Sequence, residues 1–562
     1  VTQAVAAGMD STDFAWADDG AAIQRQVFPY RRSEDQDRSA EAGPARHRVV
    51  VVGAGPVGLS LAIDLAQRGQ RVLLLDNDQR LSTGSRAICF AKRTLEIWDR
   101  LGVGDAMVAK GVGWNRGRVF FGRDEVYPFD LLPEPGHERP AFINLQQYYA
   151  EAWLLRRALQ MPGIEIRWCN TVAALVPRPD GARLGVDTPE GRYDIDAEWV
   201  LACDGSRSPL RGLLGLETQG QVFRDRFLIA DVRIAEADFP AERWFWFDPP
   251  FHPGQSVLLH RQPDGVWRID FQLGWDADPE AEKRPEAVAP RVAAMLKAAL
   301  GREVPFELEW ASVYTFACQR MARFRHGRVL FAGDSAHGVS PFGARGANSG
   351  VQDADNLAWK VDAVLRGRAG DALIDSYAAE RESAADENIL NSTRSTDFIT
   401  PKSEVSRLFR DAVLDLARQH PFARRLVNSG RLSLPSTHVD SPLNTPDAVG
   451  ERLTGAMRPG APAVDAPLPG GGWLLRSLSA RGFTLLVFGD AAAADALRDG
   501  LPEGVEVLLL PTEGVASQRW DAQPGTAYLL RPDQHVCARW RRPTAAAVQA
   551  ALARALAQDT SR

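Results

Sequence analysis

Cysteine is scarce in this chain and widely scattered. The five cysteines, Cys89, Cys169, Cys203, Cys318 and Cys537, never form a CxxC spacing, and Cys537 alone has a close histidine, His535. The pattern argues against a disulfide framework, a zinc site and a dithiol redox centre. It fits reduced thiols in a cytoplasm, and no metal is expected. Long apolar runs are missing as well: none approaches the roughly 18 residues that span a bilayer, so no membrane partner is expected. The opening residues, Val1–Asp13, lack a basic segment followed by a long apolar core, so no secretory signal is expected. Charge of one sign is not in large excess. A formal net charge of −6 gives no electrostatic case for nucleic acid or an anionic membrane. The sequence also lacks a nucleophile elbow with ordered Ser, His and Asp. What remains is ordinary globular composition, 45% hydrophobic and 25% charged, on 562 residues. That length suits three or four domains of about 150 residues each.

One stretch is rich in information. The apolar run Val49–Val52 leads straight into Gly53-Ala54-Gly55-Pro56-Val57-Gly58, then a helical pattern from Leu59, then Arg71-Val72-Leu73-Leu74-Leu75-Asp76. This is β-α-β with GxGxxG in the first turn and an acid about 20 residues further on. Gly53 allows the tight turn, Gly55 lets backbone approach a pyrophosphate, and Gly58 lets helix and strand pack closely. The pyrophosphate would sit over unpaired N–H groups at the helix start, and Asp76 would accept from an adenosine ribose. No second GxGxxG follows a strand elsewhere.

A second segment lies far downstream. The strand Gly327–Ala332 stops at Gly333-Asp334, a loop runs through Pro341-Phe342-Gly343-Ala344-Arg345-Gly346-Ala347-Asn348, and a helix is expected to begin near Asn348. A carboxylate at a strand end suits the ribityl chain of a flavin. The helix start offers free N–H groups and a positive dipole end to a reduced flavin ring. A third motif, Cys203-Asp204-Gly205-Ser206-Arg207-Ser208-Pro209-Leu210-Arg211, lies between them.

On these three ordered motifs the chain resembles the class A flavoprotein aromatic hydroxylases, the para-hydroxybenzoate and phenol hydroxylase superfamily. Its motif wording and tail point to the 3-(3-hydroxyphenyl)propionate hydroxylase side. The resemblance is strong over residues 47–400. It implies an α/β fold: a Rossmann-type FAD-binding domain with an inserted mixed β-sheet substrate domain, then a thioredoxin-like α/β domain. The expected boundaries are an extension at 1–46, partly disordered or lying over the surface, and an FAD-binding domain at 47–219 and 321–400. A substrate domain follows at 220–320, a helical segment and linker at 401–466, and a thioredoxin-like domain without CxxC at 467–562. Within the extension, Val27-Phe28-Pro29-Tyr30 could dock on the body of the protein.

The resemblance also assigns residues. Arg86 reaches the FAD pyrophosphate side, and Gln147, with Glu151 at the family's Gln-x-x-x-Glu spacing, contacts FAD; Gln146 is the adjacent alternative. Asp204 and Gly205 touch the flavin side, together with Asp334 and the helix start at Gly346, Ala347 and Asn348. Pro341 places a backbone carbonyl near the reacting oxygen. Arg345 departs from the Gly or Gln often found in this loop: it either meets a substrate carboxylate or is a tolerated variant. A phenol reacts better as phenolate, and His252, His260, Tyr314 and His337 are candidate relays, His337 being structural or catalytic.

The implied reaction uses FAD, NAD(P)H and O2 to hydroxylate a phenolic ring through a flavin C4a-hydroperoxide. A small aromatic substrate is the expected partner, and a homodimer is left open. An FAD oxidoreductase or a Baeyer–Villiger-type oxygenase is the alternative on the same fold. In residues 220–320 the alternation of bulky aromatics with polar groups, as in Arg243-Trp244-Phe245-Trp246-Phe247, reads as a half-buried sheet that roofs the flavin. For any single Trp, a plain core position is the better reading.

Overall fold

The computed structural model describes residues 16–38, 42–84, 86–234, 240–427, 433–451 and 453–558. Strand β1 (Ala45–Val52) ends on four fully buried valines. A β-branched run of that kind suits a central strand covered on both faces. Helix α1 (Pro56–Gln67) opens with Pro in its first turn, where a missing N–H costs nothing. The chain returns as β2 (Val72–Leu75), and later as α2 (Gln147–Leu159) and β3 (Ile164–Arg167).

The excursion expected after β3 is antiparallel: Thr171–Arg178 pairs with Gly181–Thr188. Its last strand and the returning buried strand are one element, β4 (Gly191–Ala202). No Gly or Pro interrupts residues 192–202, so nothing breaks the extended backbone. The first half of β4 pairs antiparallel with Gly181–Thr188, and β4 also runs parallel to β1.

The second sheet begins with β5 (Arg226–Arg233), β6 (Arg243–Phe247), β7 (Ser256–Arg261) and β8 (Val266–Leu273). It is covered by α3 (Pro285–Leu300) and completed by β9 (Glu307–Tyr314). Strand β10 (Val329–Phe331) then joins the first sheet beside β4, and α4 (Gly346–Leu365) and α5 (Asp371–Ile399) follow. The first sheet therefore carries the parallel order β10-β4-β1-β2-β3. The second runs β9-β5-β8-β7-β6 and continues through Arg116–Phe121 and Asp124–Asp130. It thus recruits two strands from outside residues 220–320.

The faces of the second sheet are sharply divided. Val288, Val292, Met295 and Leu296 of α3 pack on Leu228, Ala230, Val232, Ile269 and Phe271. Trp246 belongs to that same core, and Trp244 packs against it, both within 5.4 Å of the Phe120 ring centroid. These tryptophans face α3, so they are core residues and not a roof. Full burial of each aliphatic side chain contributes about 1.5–3 kcal/mol. The opposite face turns toward the first sheet.

The described part of the N-terminal extension is bound to the body. Phe28 stacks on Trp168 with centroids 4.7 Å apart, Trp16 packs edge-on to Phe28, and Asp35 bridges His47 and Arg167 at 2.8 and 2.7 Å. Residues 1–15 and 39–41, on which part of the expected disorder falls, lie outside the described residues. Beyond α5, a helix covers Glu404–Gln419. The proline-containing stretch after it is no free tether, because Leu443, Met457, Ala463 and Ala466 are buried in cores.

The C-terminal sheet has the order Val505–Leu510, Phe483–Phe488, Ala527–Leu530, Val536–Trp540. Its first pair is parallel and the others antiparallel. The final helix, Ala545–Ala555, is capped by Thr544. Trp359 of α4 and Leu373 of α5 share this unit's core. Among the described residues no helix is long and apolar enough to cross a membrane, and no group of three or more His, Cys, Asp or Glu could hold a metal.

Candidate active site

A cavity of about 1070 Å3 lies between the two sheets. It is larger than the roughly 300–1,000 Å3 of ordinary ligand pockets, so it has room for a dinucleotide and a further molecule. One end is built by the β1–α1 turn. Gly53 takes φ +106°, and a Cβ there would stand 2.3 Å from the Cys203 carbonyl oxygen. A Cβ on Gly58 would stand 1.9 Å from the Gly53 oxygen, whereas the space beside Gly55 is open. Gly58 therefore serves packing and lies behind the wall, and Gly55 faces the cavity. Gly55 caps α1 with no side chain of its own to bond the first N–H groups.

Asp76 accepts from the Ala54 and Asp78 N–H groups at 2.6 and 2.8 Å. Burial pushes its carboxyl up, and those two donors oppose the rise. The adjoining loop is fixed by Gln147, which accepts from the Ala87 N–H at 3.1 Å and donates to Glu151 at 2.7 Å. Gln147 lines the cavity, while Gln146 is 2% exposed and absent from the wall. Arg86 lines the same wall. Asp204 is held by Ser208 Oγ at 2.7 Å and the Leu210 N–H at 3.0 Å, beside Gly205 at φ +79°.

At the other end, Asp334 reaches the cavity with no side-chain hydrogen bond among the described residues. Surrounding protein pushes its carboxyl up. The Asp334 Oδ1 lies 3.8 Å from where a Gly346 Cβ would stand, against the start of α4. Gly346, Ala347 and Asn348 begin that helix, and no side chain caps it. The Asn348 side chain is fully occupied: it accepts from the Ala91 N–H and Thr94 Oγ1, and donates to the Cys89 and Ala344 carbonyls. Its function is to fasten residues 89–94 to α4. Pro341 lines the cavity, and its carbonyl accepts from the Ala344 N–H at 3.2 Å. Arg345 lines it also, with NH1 donating to Asn388 at 3.1 Å.

Not every expected residue arrives here. His337 is absent from the cavity wall: its Nε2 lies 2.6 Å from Asp353 in a buried pair. Asp353 is also bound by Arg381 at 2.6 Å and by the Gly333 N–H. Burial alone would raise the Asp353 carboxyl, but His337 and Arg381 outweigh it and hold the group below the usual range. His252 lies outside the wall as well, its Nε2 being 2.6 Å from the Gln272 carbonyl.

His260 and Tyr314 do line the cavity. With them stand residues the sequence reading did not single out: Arg243, Arg268 and Asp270. Register explains the gathering, since His260 pairs with Arg268 and Asp231 pairs with Arg268 across adjacent strands. Burial drives His260 down to about 4, with the Arg243 charge adding to it, so the imidazole is neutral near pH 7. Its Nε2 is 3.5 Å from Asp270, which also accepts from Arg268 Nε at 2.8 Å. A period-two run of polar residues, Arg268, Asp270 and Gln272, was the available signal.

The donor set fits a flavin dinucleotide. An uncapped helix start with an open glycine suits a pyrophosphate, a carboxylate between two turns suits a ribose, and a free carboxylate beside a second uncapped helix suits a ribityl chain and ring. Comparison with known proteins agrees. A family model described as FAD binding domain matches residues 46–392. The chain is 32% identical over 523 residues to 6-methylpretetramide 4-monooxygenase of Streptomyces rimosus, covering 88% of this chain and 91% of the relative. It is 30% identical over 404 residues to the 3-(3-hydroxy-phenyl)propionate/3-hydroxycinnamic acid hydroxylase of Mycolicibacterium smegmatis, covering 70% and 69%. The crystal structure of the flavin-dependent monooxygenase PieE, in complex with FAD and substrate, superposes with a TM-score of 0.76 at 22% identity, covering 92% of this chain and 99% of that one.

Proposed function

We infer that this chain, which belongs to the FAD-binding-domain family over residues 46–392, is an FAD-dependent monooxygenase that hydroxylates a phenolic aromatic ring with NAD(P)H and O2. The observation that carries the reading is a single cavity joining a dinucleotide cradle, a second uncapped helix start and a polar sheet face. Bound FAD supplies hydride acceptance and the activation of dioxygen.

The chain's own residues do the rest. Gly53, Gly55 and the start of α1 hold the pyrophosphate, Asp76 the ribose, and Arg86 adds a cation to the phosphate side. Gln147 sets the loop that carries Arg86. Asp204, Gly205 and Asp334 border the flavin. Gly346, Ala347 and Asn348 present the α4 start, where the dipole and the Arg345 charge favour negative charge on a reduced ring. The Pro341 segment and Phe342 close the wall against water.

For the phenolic proton we assign His260. It is neutral at working pH and so able to accept a hydrogen bond from the phenol, it lines the cavity, and Asp270 lies 3.5 Å from its Nε2 to orient the ring. Tyr314 is unsuited as a base because burial holds its hydroxyl protonated, with Asp270 adding to the effect. His337 acts through the Asp353 pair and not on substrate. The C-terminal unit, for which the thioredoxin-like likeness is our proposal, serves docking: Cys537 is buried there without a second thiol.

The test is NAD(P)H consumption by the purified yellow protein across phenols, phenylpropionates and hydroxybenzoates, with peroxide quantified alongside. A compound that accelerates consumption with little peroxide, and appears as its hydroxylated product, supports the reading. Acceleration by none of the panel would sink it.

A further inference from the structure

Arg243, at the start of β6, is 3% exposed and lines the cavity. Its Nε and NH1 are buried and meet no hydrogen-bond partner, and no ion pair reaches it among the described residues. The guanidinium lies over the Phe245 ring, 4.6 Å from its centroid. Its neighbour Arg268 is in the opposite condition, with Asp270 Oδ1 at 2.8 Å and the Arg86 carbonyl at 3.1 Å. Asp270, the carboxylate that favours the Arg243 charge, is already engaged by Arg268 and His260.

An uncompensated buried cation is among the costliest features a fold can retain. Packing on Phe245 orients it but leaves its N–H groups unsatisfied. Arg345 differs, since Asn388 holds its NH1 at the α4 start. The cavity side of Arg243 therefore suits a monoanion whose oxygens match a planar fork of donors.

We propose that Arg243 anchors a carboxylate carried by the aromatic substrate, so that the enzyme selects aromatic acids over their neutral analogues. The proposal rests on the monooxygenase reading for the cavity's occupant and deepens it.

The experiment titrates the FAD-loaded full chain with two matched pairs, benzoate against benzamide and 3-phenylpropionate against 3-phenylpropionamide, following the flavin absorbance. Hydrogen bonds to a charged group imply a preference for the acid of about tenfold or more. Arg243→Gln should erase the preference, Arg243→Lys should restore part of it, and both should keep bound FAD. A structural role for Arg243 would instead lower thermal stability and leave the acid-to-amide ratio unchanged, overturning the proposal. It is also overturned if the wild type binds acid and amide alike, or binds neither at millimolar concentration. Loss of FAD from the wild type itself would fault the monooxygenase reading, not the anion anchor.

Discussion

Neither Gly58 nor Gly53 has room for a methyl group: a Cβ would meet the Gly53 oxygen from the first and the Cys203 carbonyl from the second. Gly58→Ala would place a carbon 1.9 Å from the Gly53 oxygen, forcing helix from strand at the phosphate site. We expect a loss of about 1–3 kcal/mol and a clear fall in the FAD-to-protein ratio, read by thermal melting and absorbance on one preparation. His260 makes a chemical prediction. Its replacement by Gln should lower turnover of neutral phenols by about 100-fold or more. Substrates already ionised at the assay pH should lose much less, and equal losses would exclude a proton-accepting role. The glycines and Asp76 were legible because their roles are local, each set by a turn, a helix start or a strand end. Arg243, Arg268 and Asp270 were not, because along the chain they look like the polar half of an alternating strand, and His260 stood out only as one candidate relay among four. Only register across β6, β7 and β8 brings them together.

Helix α4 is held by charges as much as by packing. Asp353 on α4 receives His337, Arg381 and the Gly333 N–H in one buried knot. The segment before α4 therefore leads two lives: Asp334 faces the cavity while His337, three residues on, ties the loop to the helix. Asp353→Asn would leave a buried arginine and a histidine without their anion, costing about 3–5 kcal/mol. Urea unfolding monitored by circular dichroism and by flavin release would measure the cost. The sequence placed this helix near its true start, yet His337 could not be assigned from its motif. A histidine next to a cofactor segment has the same one-dimensional signature whether it faces inward or outward. The tryptophans of β6 show the same ambiguity, since period-two alternation defines two faces without saying which is the cavity.

The whole molecule is joined by a buried polar seam. Glu380 of α5 receives Arg531 at 2.6 Å and Lys360 at 2.8 Å, and Arg531 also grips Asp533. Burial would raise the Glu380 carboxyl, but Arg531 and Lys360 hold it well below the usual range. Arg531→Leu should cost about 3–5 kcal/mol. It should also speed proteolysis of the stretch before the C-terminal sheet, resolved on a time course by mass spectrometry.

Acid should weaken the whole fold. Burial drives His137 and His260 down to about 4, lowers His252 and His535, and holds His438 well below its ordinary value. These imidazoles stay neutral when folded and bind protons when unfolded below about pH 6.5. Their stabilisation is complete above that pH and is lost as acid protonates them, for buried His260 toward pH 4. Urea midpoints at pH 7.5, 6 and 5 should fall in that order.

The strand order β10-β4-β1-β2-β3 has a consequence for how the chain is made. On a ribosome, β1, β2 and β3 emerge early, but β4 waits behind the antiparallel excursion. Strand β10, with Arg325–His326 paired on its outer side, waits behind the entire second sheet. Asp334 and the α4 start follow later still, so the nascent chain holds half a cofactor site while most of its other sheet is being synthesised. Flavin cannot be gripped at both ends until α4 has left the exit tunnel. Such long-range closure makes for slow maturation, and chains released early would expose unpaired strand edges instead of a flavin site.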